Sequence, residues 1–308
     1  MQKTIISNST QQTQMKAGMT MKEIIQDRLA QIGDNSTLVS IDQVAGGDIN
    51  QAFRVQTEQS NYFVKANSQV PPHFFEVEAH GLSLIEASET IHVPHVHYYD
   101  RPHEDELAVM VMDWIEGHPS THTASELGTK LANMHLHTNN QHGFDKDTFV
   151  GTLPQRNELC QDWLTYYKQQ RLGQQLKIAN ERGRLPTKRR KNLEKVIDQL
   201  GKWVNHNPEA SLLHGDLWGG NWIAGPDGHP YLIDPSILYG DRAFEIAFTE
   251  LFGGFSSDFY HAYQEANPLP ENYQEIKPLY QLYYLLVHLN MFGESYGNSV
   301  DRILNHYV

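Results

Sequence analysis

Cysteine is almost absent from this chain. Cys160 stands alone, so no intrachain disulfide can staple the fold and stability has to come from a packed core. Nothing around it marks a nucleophile or metal ligand, and it reads as an ordinary helix residue. Also missing is any stretch of the roughly 18 to 20 uncharged apolar residues needed to cross a bilayer, and the opening MQKTIISNSTQQTQMKAGM lacks the apolar block of a signal peptide. A cytoplasmic protein with no membrane partner is expected. Basic residues are outnumbered 24 to 37, and the formal net charge of −13 repels phosphate backbones. Nucleic acid would need a local basic patch. The one candidate, Lys188-Arg189-Arg190-Lys191, opens the helical pattern Leu193, Val196, Ile197, Leu200, so it reads as a solvated helix face and no nucleic-acid partner is expected. Histidine, by contrast, is plentiful at 17 residues. Neither His92, His95 and His97 in a strand nor His135 and His137 at a helix end forms the helical ligand pair of a zinc site, and surface or partly buried histidine is expected.

What the chain does have is 308 residues with 39% hydrophobic content, enough for a real core. Residues 1–18 are polar and without periodicity, as in a disordered arm. Met21, Ile24, Ile25, Leu29 and Ile32 then share a helical face that Gly33 stops. Short β-like runs follow at 38–44, 52–56 and 62–66, then a helix over 74–87 and strands at 93–99 and 107–115. Glu116-Gly117-His118-Pro119 reads as a linker. Beyond it the patterns are mostly helical, at 124–137, 156–179, 188–205, 242–252, 256–266 and 273–292. The expected fold is α+β and two-lobed: a small antiparallel sheet with one main helix over 19–115, and a larger helical lobe over 116–308, with a cleft between them.

Residues 212–236, LLHGDLWGGNWIAGPDGHPYLIDPS, carry the chemistry. Trp222-Ile223-Ala224 and Tyr231-Leu232-Ile233 are two short strands around the turn Gly225-Pro226-Asp227-Gly228. Closing that hairpin brings Asn221, before the first strand, towards Asp234, after the second. An amide oxygen and a carboxylate suit a magnesium ion carrying nucleotide phosphates. Asp216 precedes Asn221 by the spacing that separates base from metal ligand in the kinase loop H-R-D-x-x-x-x-N, which here reads H-G-D-L-W-G-G-N. Asp216 is the candidate to take or orient the proton of the attacking hydroxyl, with His214 bracing the loop. Glycine after the histidine is the form found in small-molecule kinases.

The first lobe should then supply a cation for ATP, and Lys65 closes the strand Tyr62-Phe63-Val64-Lys65 where it can reach the α- and β-phosphates, with Glu78 on the next helix as its partner. Gly46, Gly47 and Asn50 belong to a hairpin that allows close backbone approach to phosphate, although the segment does not match G-x-G-x-x-G. Backbone groups of Met112, Asp113 and Ile115, just before the linker, would meet adenine. The fold expected is therefore protein-kinase-like. Two other classes fit parts of the pattern: a hydrolytic metal centre on His214, Asp216 and Asp234, and a nucleotide-binding module without turnover.

At this point the chain resembles the fructosamine kinase, or ketosamine-3-kinase, family. The likeness runs from about residue 22 to the end. It rests on GGDINQAFRV at 46–55, FFEVEAHGL at 74–82, VMDWIEG at 111–117, LGTKLANMHLHTNNQHGFDKDTFVGTLPQRN at 127–157, HGDLWGGN at 214–221 and IDPSILYGDRAFEIAFTELFGGF at 233–255. The resemblance implies ATP- and magnesium-dependent phosphorylation of the 3-hydroxyl of a ketosamine, followed by elimination that frees the amine. It also implies Trp218, Asp241 and Glu250 beside a substrate that is a small-molecule ketosamine or a glycated amine or protein, in a monomer or homodimer. Other small-molecule kinases, of the aminoglycoside, choline or homoserine type, are the alternatives. Asp48 stands where some relatives carry a cysteine, so no thiol switch is expected there.

Overall fold

Thr20 caps the first helix: its hydroxyl accepts from the Glu23 amide while the Glu23 carboxylate accepts from the Thr20 amide at 2.6 Å. The computed structural model describes residues 19–45, 49–103, 106–205 and 207–308; the expected arm at 1–18 and the positions Gly46, Gly47 and Asp48 lie outside them. The chain divides into two units, one made of residues through Phe75 with His97–Asp113, the other of Glu76–Val96 with Trp114–Val308.

The first unit opens with helix α1 (Met21–Gln31) and strands β1 (Leu38–Gln43), β2 (Gln51–Thr57) and β3 (Asn61–Asn67). Helix α2 (Phe74–Ala87) intervenes before β4 (Val96–Tyr99) and β5 (Ala108–Asp113). The strands form one sheet in the order β1-β2-β3-β5-β4. Ile24, Ile25 and Leu29 of α1 pack on Val55, Val64, Val109 and Val111, an almost purely aliphatic core in which each fully buried side chain contributes about 1.5–3 kcal/mol. Asp34, a buried carboxylate, accepts from the hydroxyls of Thr57 at 2.8 Å and Tyr62 at 3.1 Å, and the bonds from Ser36, with these two, outweigh burial and hold it below the usual carboxylate range.

The second unit is mainly helical. After α2 come α3 (Thr123–Met134), short strands β6 (Thr138–Asn139), β7 (Thr148–Val150) and β8 (Leu153–Gln155), and helices α4 (Trp163–Tyr166), α5 (Gln174–Glu181) and α6 (Thr187–Gln199), with a π-helical stretch Tyr167–Gly173 between α4 and α5. Then follow β9 (Ala210–Leu213), β10 (Trp222–Ala224), β11 (Pro230–Leu232), β12 (Leu238–Gly240), α7 (Arg242–Thr249), α8 (Ser257–Ala266), α9 (Tyr273–Phe292) and α10 (Gly297–Tyr307). Helix α9 is buried along most of its length, and its Tyr280, Tyr283 and Tyr284 pack with Trp163, Tyr167, Phe244 and Phe248.

The α+β expectation holds, with local corrections. The helix expected over 156–179 starts only at Trp163, where the Asp162 carboxylate caps it by accepting from the Thr165 amide at 2.7 Å. Cys160 is therefore not helical. It lies in an antiparallel bridge with His142, each amide donating to the other's carbonyl. Arg189 is no part of a solvated face: it is buried and bonded to both Glu294 and Asp301, whereas Lys188, Arg190 and Lys191 are exposed. His135, His142 and His214 are buried, contrary to the expected surface or partly buried histidine. No helix among the described residues is long and apolar enough to cross a membrane.

Candidate active site

Strand β9 delivers the chain into His214-Gly215-Asp216, and the β10-β11 hairpin follows with Trp222 opposite Leu232. Just beyond that register the Ile233 amide donates to the Asn221 carbonyl at 3.0 Å, so Asn221 lies across from the residue before Asp234 at the open end of the hairpin. Asn221 Nδ2 donates to the Asp216 carbonyl at 2.7 Å and to its carboxylate at 3.2 Å, which leaves the amide oxygen as the group turned to other work. The Ser236 amide donates to the His214 carbonyl at 2.8 Å, tying the chain after Asp234 to the same loop. Gln155 in turn donates to the Ser236 hydroxyl at 2.9 Å and accepts from Tyr283, which accounts for that glutamine in the stretch GTLPQRN.

Asp234 is exposed and sits at φ +57 ahead of Pro235, a left-handed conformation that costs on the order of 1–3 kcal/mol in a residue with a side chain. Such strain is maintained where surrounding contacts fix it. Asp216 is half-buried. Loss of solvent first, and repulsion from the Asp234 charge second, push its carboxyl well above the usual carboxylate range, against the opposing bond from Asn221.

His214 braces the loop with both ring nitrogens. Nε2 bonds the Ile233 carbonyl at 2.8 Å, and Nδ1 accepts from the Asp216 amide at 3.2 Å. Neither nitrogen is left for a metal, and among the described residues no group of three or more His, Cys, Asp or Glu could hold one. The hydrolytic metal centre is thereby set aside. The oxygens of Asn221 and Asp234 are hard donors that fit magnesium shared with a nucleotide.

Beneath the loop lies a residue that the sequence reading passed over. Glu245 of α7 is fully buried, and its two oxygens accept from the amides of His214 at 3.1 Å and Gly215 at 2.6 Å. His135 donates Nε2–H to it at 2.8 Å and has Nδ1 2.7 Å from the Tyr263 hydroxyl. Burial alone would lift the Glu245 carboxyl; the bonds from His135 and Gly215 outweigh it and hold the group below the usual range. From α9 the Tyr284 hydroxyl donates to the Gly215 carbonyl at 3.0 Å. Gly215 itself has φ +83, and a Cβ there would stand 1.9 Å from the Ser236 carbonyl oxygen. One signal was available: Glu245 is a lone charge in the apolar run Ala243-Phe244-Glu245-Ile246-Ala247-Phe248.

The other expected residues fall as follows. Trp218 is 43% exposed on the loop between Asp216 and Asn221. Asp241, expected beside substrate, is only 2% exposed; it caps α7 by accepting from the Ala243 amide and accepts a 2.5 Å bond from Tyr280. Glu250 is bonded to the Tyr273 hydroxyl and, at 2.7 Å, to Lys277. In the first unit Lys65 lies on β3 between Ala52 and Met110, only 5% exposed. Asn50 accepts from Asn67 at 2.9 Å, Met112 is buried at the end of β5, and Asp113 is bonded to His97 at 2.8 Å. Glu78 and Ile115 belong to the second unit, both half-buried.

Comparison with known proteins agrees with the loop. A family model described as fructosamine kinase matches residues 20–308. A "Probable ketoamine kinase" of Enterococcus faecium is 41% identical over 265 residues, covering 86% of this chain and 94% of the relative. The "Protein-ribulosamine 3-kinase, chloroplastic" of Arabidopsis thaliana is 34% identical over 283 residues, covering 90% of this chain and 85% of the relative. A crystal structure from Haemophilus somnus, named "Putative fructosamine-3-kinase", superposes with a TM-score of 0.82 at 29% identity, covering 93% of this chain and 97% of that one.

Proposed function

This chain belongs to the fructosamine kinase family, and from that membership we propose that it transfers the γ-phosphoryl group of ATP to the 3-hydroxyl of a ketosamine. The observation that carries the reading is the Asp216–Asn221 contact at 3.2 Å on a loop whose amides are gripped by Glu245. That contact supports Asp216 as the group that takes the proton of the attacking hydroxyl.

In the proposed reaction the substrate oxygen bonds to the γ-phosphorus, the bond from that phosphorus to the β–γ bridging oxygen breaks, ADP leaves, and the hydroxyl proton passes to Asp216. Asn221 and Asp234 would hold magnesium, which would supply positive charge to the phosphates. Lys65 is the proposed ligand of the α- and β-phosphates; within the same unit Asn50 is proposed to lie beside the phosphates, and the backbone of Met112 and Asp113 to meet adenine. Trp218 and Glu250 are proposed to face the sugar. Catalysis is then mostly positioning and charge neutralisation. Elimination of the 3-phosphate would release the amine, which makes the proposed role a deglycation, in the cytoplasm.

The test is ATP-dependent phosphorylation of fructose- and ribulose-lysine, followed by ADP release and by locating the phosphate on the sugar. Turnover of the ketosamines with phosphate at the 3-position is expected. Inert ketosamines beside rapid phosphorylation of choline, an aminoglycoside or homoserine would overturn the assignment.

A further inference from the structure

A ketosamine has two halves, and the residues assigned so far handle only the sugar. The second unit carries an exposed aromatic group next to the catalytic loop that none of those roles uses. Phe252 is 41% exposed and Phe292 51%. Between them stand His288 and Tyr296: the His288 ring centroid is 4.7 Å from Phe252, 5.6 Å from Phe292 and 5.0 Å from Tyr296. A lone exposed phenylalanine needs no explanation, but two of them joined into a four-ring surface do.

This surface is continuous with the catalytic loop by two routes. Phe252 packs on Phe248, which stacks at 3.6 Å on Tyr284, the residue whose hydroxyl holds the Gly215 carbonyl next to Asp216. His288 bonds the Tyr284 carbonyl through Nδ1 at 2.8 Å, so its ring is held in place one helical turn further along α9. The second route is the turn Phe252-Gly253-Gly254. A Cβ on Gly254 would stand 2.5 Å from the Gly219 Cα, so this turn touches the loop backbone between Asp216 and Asn221. The residues that position the hydroxyl and those that present the rings thus share neighbours.

We infer that Phe252, His288, Phe292 and Tyr296 form a subsite for the amine half of the ketosamine, and that it selects adducts whose amine carries an aromatic or long alkyl group. The inference rests on the ketosamine reading above. Four rings offer apolar area and ring stacking to such a group. The surface is rooted in the core by Phe248 and Tyr284, so it is preformed and needs little ordering when a ligand arrives.

The experiment compares two ribulose adducts on the full chain, one of Nα-benzoyl-lysine through its ε-amine and one of methylamine. The unchanged protein should prefer the benzoyl-lysine adduct in kcat/KM. Phe292→Ala and Phe252→Leu should each reduce that preference by about fivefold, through KM of the aromatic adduct. Phe292 is half exposed at the end of α9, and Phe252→Leu keeps bulk while removing the ring, so folding is preserved in at least one variant. Equal loss on both adducts, or an unchanged ratio, overturns the subsite. So does a mass in solution that drops on Phe292→Ala with the ratio unchanged, which would give the surface to a second copy of the chain. If neither adduct is phosphorylated by the unchanged protein, it is the ketosamine assignment that fails.

Discussion

The two units keep their shape by different means. The sheet unit relies on aliphatic side chains from α1 pressed against β2, β3 and β5, with Asp34 satisfied by neighbouring hydroxyls at one edge. The helical unit surrounds the loop at Asp216 with buried polar groups bonded to one another: Glu245 with His135, Gln155 with Ser236 and Tyr283, Asp241 with Tyr280. Aliphatic burial is non-directional and tolerates small shifts, whereas a hydrogen-bonded network fixes atoms in place. On the reading proposed above, placement matters most around Asp216, and these directional contacts lie there.

Four substitutions test this contrast. Asp216→Asn removes the proton acceptor and should lower phosphoryl transfer by about a thousandfold while ATP still binds, read by coupled ADP detection alongside nucleotide titration. Glu245→Gln leaves buried amides facing a donor and should cost about 3 kcal/mol in urea denaturation at neutral pH, together with a loss in kcat. Because the folded protein holds the Glu245 carboxyl below its ordinary range, its contribution is present above that range and is lost as pH falls through the folded value. The gap between the unchanged protein and the glutamine variant should accordingly narrow in acid.

Val55→Ala in the sheet core should cost about 2 kcal/mol with kcat of the folded fraction unaltered. A fall in kcat matching that of the glutamine variant would erase the distinction between the two units. Thr20→Ala removes the capping box of α1 and should cost about 1 kcal/mol, seen as a lower unfolding midpoint with activity retained.

Much of the fold was legible because it follows periodicity. The expected α9, over 273–292, coincides with Tyr273–Phe292, and the hairpin around Gly225-Pro226-Asp227-Gly228 forms between β10 and β11. The spacing of Asp216 and Asn221 puts them on one loop, and there the Asn221 side chain bonds Asp216. What escaped was whatever depends on distant partners. β6, β7, β8, β9 and β12 are two to four residues long, too short for alternation to show, and their pairing is settled by neighbours far along the chain. Helix α10 has the apolar stripe Val300, Ile303, Leu304, Tyr307 and was left unread at the C-terminus. Glu245 and His135 lie more than a hundred residues apart, so nothing local reveals that they meet. Arg189 was misread for the same reason, its partners Glu294 and Asp301 being equally remote.

The Ser236 carbonyl that fills the space beside Gly215 also limits the evolutionary routes open to this lineage. Kinases that are switched by phosphate on a nearby loop rely on arginine to receive it, and no side chain can be added at 215 unless the strand entry after Asp234 is rebuilt first. A change at one position is thus conditional on a prior change at another.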